Sequence, residues 1–315
     1  MLELKSAATA GTRQVIVRHT TRYQYDRPIT RSQHRIHLRP THDWKQNVRS
    51  FRLQITPEVP LIEYEDVFGN WTARFEINQP YSELSMVAQS EIDLLDVDPF
   101  AFAGQPIRPP FPLSWMPWEQ KMLVPYLTPI ELPETQLIEL YEYAMSFVER
   151  NQRDLMETLF DINLTLFREY KYLPGSTTVE TTPFEVMTQK RGVCQDFANL
   201  FICLARLLGI PARYVCGYVY TGNEQTPMGD ASHAWVQLYI PSIGWKGFDP
   251  TNGKLPTTDH VRVAVGRHYR DTAPATGTLY SAGAETMWVE VKVHDLTGNN
   301  NGSLLNNTTQ TAAAT

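Results

Sequence analysis

Three short segments hold the residue types needed to open an amide bond. Cys194 stands in Arg191-Gly192-Val193-Cys194-Gln195-Asp196, and His233 in Asp230-Ala231-Ser232-His233-Ala234-Trp235. Asp249 stands in Trp245-Lys246-Gly247-Phe248-Asp249-Pro250-Thr251-Asn252. A thiolate attacks the carbonyl, an imidazole beside it stores the proton, and a carboxylate orients the imidazole. Cys194 opens an amphipathic pattern with Phe197, Leu200, Phe201, Leu204, Leu207 and Leu208 on one face and Gly209 suited to a left-handed cap. At the first turn of such a helix, unpaired N–H groups and the positive end of the dipole favour thiolate. Cys203 falls mid-helix and Cys216 mid-strand, and both read as packing residues. Nine helical residues separate Cys194 from Cys203 by about 13 Å, too far for a disulfide.

The partners of the thiol must come from strands. After the helix the hydrophobic period switches to two, and residues 214–220, 233–240 and 245–249 read as antiparallel strands. If Pro241-Ser242-Ile243 is a three-residue loop, Ile240 faces Gly244 and Trp235 faces Asp249. Asp249 then lies diagonal to His233, about 7–8 Å away between backbones, a gap that two side chains can close. Asp230 is the rival carboxylate, read as a loop residue that shapes the site. The backbone N–H of Cys194 is a natural oxyanion donor, and Tyr172 is a candidate for a second. Residues 221–229 contain the turn formers Thr221-Gly222-Asn223 and Pro227-Met228-Gly229, and read as a loop overhanging the site.

Upstream, Leu137, Leu140, Tyr141, Ala144, Phe147 and Val148 keep helical spacing, as do Leu155, Leu159, Ile162 and Leu166. Thr182-Pro183-Phe184-Glu185 is a capping box with proline at the first helical position. Residues 14–98 alternate as strands, with Phe68-Gly69-Asn70 as a hairpin turn. Residues 99–133 form a connector whose prolines forbid a long helix; its Trp115, Trp118, Tyr126 and Leu127 call for burial. Residues 134–296 read as the catalytic core, and residues 1–13 and 297–315 as disordered. Helices first, then strands, with the nucleophile on a helix and its partners on strands, describe an α+β, papain-like core behind an N-terminal antiparallel β-domain.

These segments resemble the bacterial transglutaminase-like family, also described as transglutaminase-like cysteine proteases. The likeness runs from Arg191-Gly192-Val193-Cys194-Gln195-Asp196 through Leu207-Leu208-Gly209-Ile210-Pro211, the blocks around His233 and Asp249, and Gly266-Arg267-His268-Tyr269-Arg270-Asp271. Tyr23-Gln24-Tyr25 and Asp66-Val67-Phe68-Gly69-Asn70 resemble the β-rich domain that often precedes this core. The chain departs from many family members at Asn199, where they have histidine, and at His268, where they have an acidic residue. The resemblance implies a transglutaminase-like core and a Cys194–His233–Asp249 triad acting on a peptide or protein amide through an acyl-enzyme. Water completes the reaction in a peptidase or amidase, an amine in a transglutaminase. The alternative is a binding or scaffold protein that keeps the fold without turnover, although such members usually lose a triad residue.

Composition sets bounds on partners. The 315 residues are 42% apolar and 20% charged, with a net charge of −6. The absence of a long basic run argues against nucleic acid or an anionic membrane as partner. Met1 to Arg18 has no signal-peptide apolar region, so a cytoplasmic location is expected. No zinc spacing or calcium loop occurs, and no cofactor or metal is expected; His34, His37 and His42 read as ordinary strand and loop histidines.

Overall fold

The computed structural model describes residues 11–97, 100, 111–222, 232–280 and 284–297. The N-terminal part is a β-sandwich. Its strands are β1 (Thr12–Ile29), β2 (Ser32–Ile36), β3 (Gln46–Thr56), β4 (Ile62–Glu65), β5 (Trp71–Ile77) and β6 (Tyr81–Leu95). The expected hairpin turn joins β4 to β5, with Gly69 at φ +80 and Asp66 Oδ1 accepting from the N–H groups of Phe68 and Asn70. Ile29, Ile36, Phe75, Ile77, Leu84 and Met86 fill the space between the two sheets. His34 stacks on Phe75 and bonds Ser32, and His37 Nδ1 donates to the Ala273 carbonyl at 3.0 Å, so both serve packing.

Helices follow: α1 (Pro117–Leu127), α2 (Glu134–Arg150), α3 (Leu155–Glu169), then the short β7 (Lys171–Tyr172), α4 (Pro183–Gln189), β8 (Arg191–Gly192) and α5 (Cys194–Leu207). The α4 capping box forms as read, Thr182 Oγ1 taking the Glu185 N–H while Glu185 takes the Thr182 N–H. The connector departs from expectation. It contains the 11-residue α1, because Pro117 occupies the first turn, where no N–H is needed, and Pro125 falls in the last. Trp118 on α1 is 65% exposed, against the expected burial.

Helix α5 is the hub. Phe197, Leu200, Phe201 and Leu204 are buried among α2, α3 and the core sheet, each contributing about 1.5–3 kcal/mol of burial. It ends at Leu208 and Gly209, the latter at φ +73. Buried Arg206 donates to the carbonyls of Thr128, Ala212 and Arg267, tying α5 to connector and sheet.

The core sheet comprises β9 (Ala212–Val219), β10 (His233–Ile240), β11 (Gly244–Phe248) and β12 (His260–Gly266), in the order β11-β10-β9-β12. Ile240 pairs with Gly244, the register that the three-residue loop requires. After α6 (Tyr269–Thr272) come β13 (Ala275–Leu279) and β14 (Glu285–Asp295). These two strands lie within the stretch 134–296 read as core, yet β13 pairs with β2 and β14 with β1. The chain thus returns to complete both N-terminal sheets. Val15, Val17, Ile92 and Val291 then pack on Tyr218, Val261 and Val263, joining the sandwich to the core sheet. Among the described residues, no helix is long and apolar enough to cross a membrane.

Gly217 on β9 marks a close approach behind the site. A Cβ there would come 2.0 Å from the Val261 carbonyl oxygen and 2.7 Å from the Trp235 ring. Gly217→Ala is therefore expected to destabilise the protein by about 1–3 kcal/mol through overpacking. A thermal melt checks this; an unchanged midpoint would mean that β9 and β12 part easily.

Candidate active site

Cys194 is the first residue of α5 and partly exposed. The turn is held by Asp196, which accepts from the Val193 N–H at 2.7 Å and the Thr177 hydroxyl at 2.6 Å. A Cβ on Gly192 would strike the Asp196 side chain at 2.7 Å, so the glycine lets this cap close. The Val-Cys-Gln-Asp spacing is therefore a capping device as well as the frame of a thiol. Tyr172 pairs through β7 with Gly192. Burial first, then the charges of Cys194 and Asp196, push its phenol up to about 12.

His233 opens β10 and is 5% exposed; Asp249 follows β11 and is fully buried. His233 Nε2 donates to Asp249 Oδ2 at 2.9 Å. The Cys194 thiol neighbours the same imidazole and interacts with it, and with Nε2 committed to Asp249, Nδ1 is the nitrogen left for sulfur. The structure thus brings together all three residues singled out in the sequence. Burial alone would lower the proton affinity of His233. The charge and hydrogen bond of Asp249, with those of Cys194, outweigh it and raise the imidazole to about 10. Burial likewise opposes the Asp249 anion, but His233 and His260 hold its carboxyl well below the usual range.

Three partners of Asp249 were not legible as site residues. Oδ1 accepts from the N–H groups of Thr251 and Asn252 at 3.0 and 3.2 Å, and Asn252 Nδ2 donates to Oδ2 at 2.6 Å. His260 Nε2 donates to Oδ2 at 3.0 Å, while its Nδ1 meets Asp259 Oδ1 at 2.5 Å. The run Asp249-Pro250-Thr251-Asn252 carries a signal for the first two, since an aspartate bonding the backbone two and three residues on is a turn motif. One ring nitrogen each of His233 and His260 and a carboxylate oxygen of Asp249 lie within 4.8 Å of one another, a spacing that would admit an ion. Hydrogen bonds already engage both ring nitrogens and the carboxylate, and we read the group as proton-linked.

Trp235 separates the triad from the interior. It stacks on His233 with centroids 5.9 Å apart and meets His260 edge-on at 5.1 Å. Behind it a cavity of about 540 Å³ lies between the core sheet, the turn leading into β3 and the end of β6, lined by Trp235, His260, Arg213, Trp245, Lys45 and Arg262 among others. Cys194, His233 and Asp249 do not line it. Trp245 packs against Tyr126, Tyr239 and Arg213, away from the thiol. Residues 223–231, which hold Asp230 and most of the expected overhanging loop, lie outside the described residues.

Comparison with known proteins places this arrangement. Residues 15–93 match the bacterial transglutaminase-like N-terminal region and residues 142–250 the transglutaminase-like superfamily. An uncharacterized Mycobacterium tuberculosis protein is 30% identical over 306 residues, covering 91% of this chain and 94% of its own. The chain belongs to the transglutaminase-like superfamily and carries its bacterial N-terminal region. A Pseudomonas aeruginosa protein-glutamine gamma-glutamyltransferase is 33% identical over 94 residues, 28% of this chain and 14% of that protein. A crystal structure of a candidate cysteine protease from Cytophaga hutchinsonii shares the fold, with a TM-score of 0.73 and 22% identity over 93% of each chain.

Proposed function

We propose that this protein is a thiol enzyme that cleaves amide bonds in peptides or proteins through a Cys194–His233–Asp249 triad. The placement of Cys194 beside His233, with His233 hydrogen-bonded to a buried, ionised Asp249, carries this reading. Cys194 attacks the carbonyl carbon, and the oxygen gains charge near the N–H groups that open α5. His233 gives its proton to the departing amine, leaving a thioester on Cys194. Water then attacks the thioester, His233 takes its proton, and the acid is released. Acyl transfer to an amine is the second reading, and the stretch shared with the Pseudomonas glutamyltransferase favours it.

Incubating peptide amides with the protein, with and without a primary amine, tests both. Mass spectra showing the free acid mean hydrolysis, and a conjugate with the amine means transfer. Neither product above the Cys194→Ala background would leave a scaffold. Asp249→Asn is expected to lower kcat by roughly ten- to a hundredfold less than Cys194→Ala does, because an orienting group contributes less than the nucleophile. Equal losses in the two variants would make Asp249 more than an orienter.

A further inference from the structure

Asp249 receives two imidazoles on one oxygen, and the triad accounts for only one of them. His260 opens β12, opposite Val219 of β9, with its side chain 1% exposed. Its two ring nitrogens meet two different carboxylates, Asp249 at 3.0 Å and Asp259 at 2.5 Å. A neutral imidazole has one donor and one acceptor nitrogen. Burial opposes ionisation of Asp259, but the bonds and charges of His260 and Lys254 hold its carboxyl well below the usual range. Asp249 is ionised as well. Ionised carboxylates only accept, so the form of His260 that satisfies both contacts is the one with both nitrogens donating. Its centroid lies 6.1 Å from that of His233.

We infer that His260, held between Asp249 and Asp259 by its two ring nitrogens, is a positioning residue that pins Asp249 and moderates the pull of Asp249 on the His233 proton. The inference rests on the triad reading. A buried aspartate facing His233 alone would hold the imidazolium proton so tightly that giving it to a leaving amine becomes slow. A second cation on the same oxygen shares that negative charge, and its own charge disfavours a further proton on His233. It also favours the Cys194 thiolate. Besides the two carboxylates, His260 shares the 540 Å³ cavity with Asp43, Lys45, Arg213, Lys246 and Arg262. Lys254 pairs with Asp259, and Arg262, two residues along β12, pairs with Asp43. The Trp235 ring meets it edge-on.

The test follows the reactivity of Cys194, which needs no known substrate. Its iodoacetamide alkylation rate, read by peptide mass mapping, is measured from about pH 4 to about pH 10. The wild type is compared with His260→Gln and Asp259→Asn. Glutamine keeps an N–H for Asp249 without the charge. Asparagine removes the second carboxylate, so that a neutral His260 ring can satisfy both contacts. In both variants the midpoint at which Cys194 turns reactive is expected to rise by about one pH unit, with the near-ultraviolet circular dichroism retained. A purely structural His260 would slow the reaction or lower the melting point without moving that midpoint, and this result overturns the inference. Loss of the fold in both variants overturns it too. A wild-type Cys194 with the pH dependence of an ordinary thiol would instead refute the triad reading, so the two failures are distinct.

Discussion

Replacing Cys194 with alanine is expected to remove amide turnover by roughly a million-fold, down to the level set by binding and oxyanion contacts alone. The melting temperature should stay near that of the wild type. Cys194 is only partly buried, and the α5 cap depends on Asp196 rather than on sulfur. The same site predicts the order in which the three thiols react. Cys203 and Cys216 are buried, and burial pushes each thiol up to about 12. Cys194 is partly exposed, opens a helix and has His233 beside it, the setting of a reactive thiol. Limiting iodoacetamide at neutral pH should therefore label Cys194 first, by a margin of orders of magnitude. Prior labelling of Cys203 or Cys216, or turnover that survives in Cys194→Ala, would remove Cys194 from the role of nucleophile.

What could be read from the sequence was the part of the structure encoded locally. The Cys194 helix announced itself by its apolar stripe and Gly209, and the β10–β11 register followed from the length of one loop. The destination of β14 did not. Val289, Val291 and Val293 mark a strand, but nothing in their alternation says that the partner is β1, some 270 residues earlier in the chain. Pairing over that distance depends on which sheet edge remains open once the rest has folded. His260 was missed for a similar reason. It begins an apolar strand directly after Asp259, and only the turn of β12 beside β9 brings it onto Asp249. The α1 helix was missed because proline density was weighed without regard to position. Pro117 and Pro125 stand where a short helix tolerates them.

His233→Ala should abolish turnover as completely as loss of the thiol, and it should also change how stability depends on pH. The imidazole is raised from its ordinary value to about 10 in the folded protein. The stabilisation from its charge is therefore complete below about pH 6.5, where the unfolded chain is protonated too, and fades as pH rises toward the folded value. Asp249 acts at the other end. Its folded carboxyl is depressed, so its contribution is present above about pH 4 and is lost in acid. The pair should stabilise most between those limits. Urea unfolding at about pH 6 and about pH 9.5 should show the wild type losing on the order of a few kcal/mol more than His233→Ala over that interval. The variant should still fold, because Asp249 keeps His260, Asn252 and two backbone N–H groups. Parallel pH profiles for the two proteins would mean that His233 is neutral in the resting enzyme, and the thiol would then pass its proton to His233 only as it attacks.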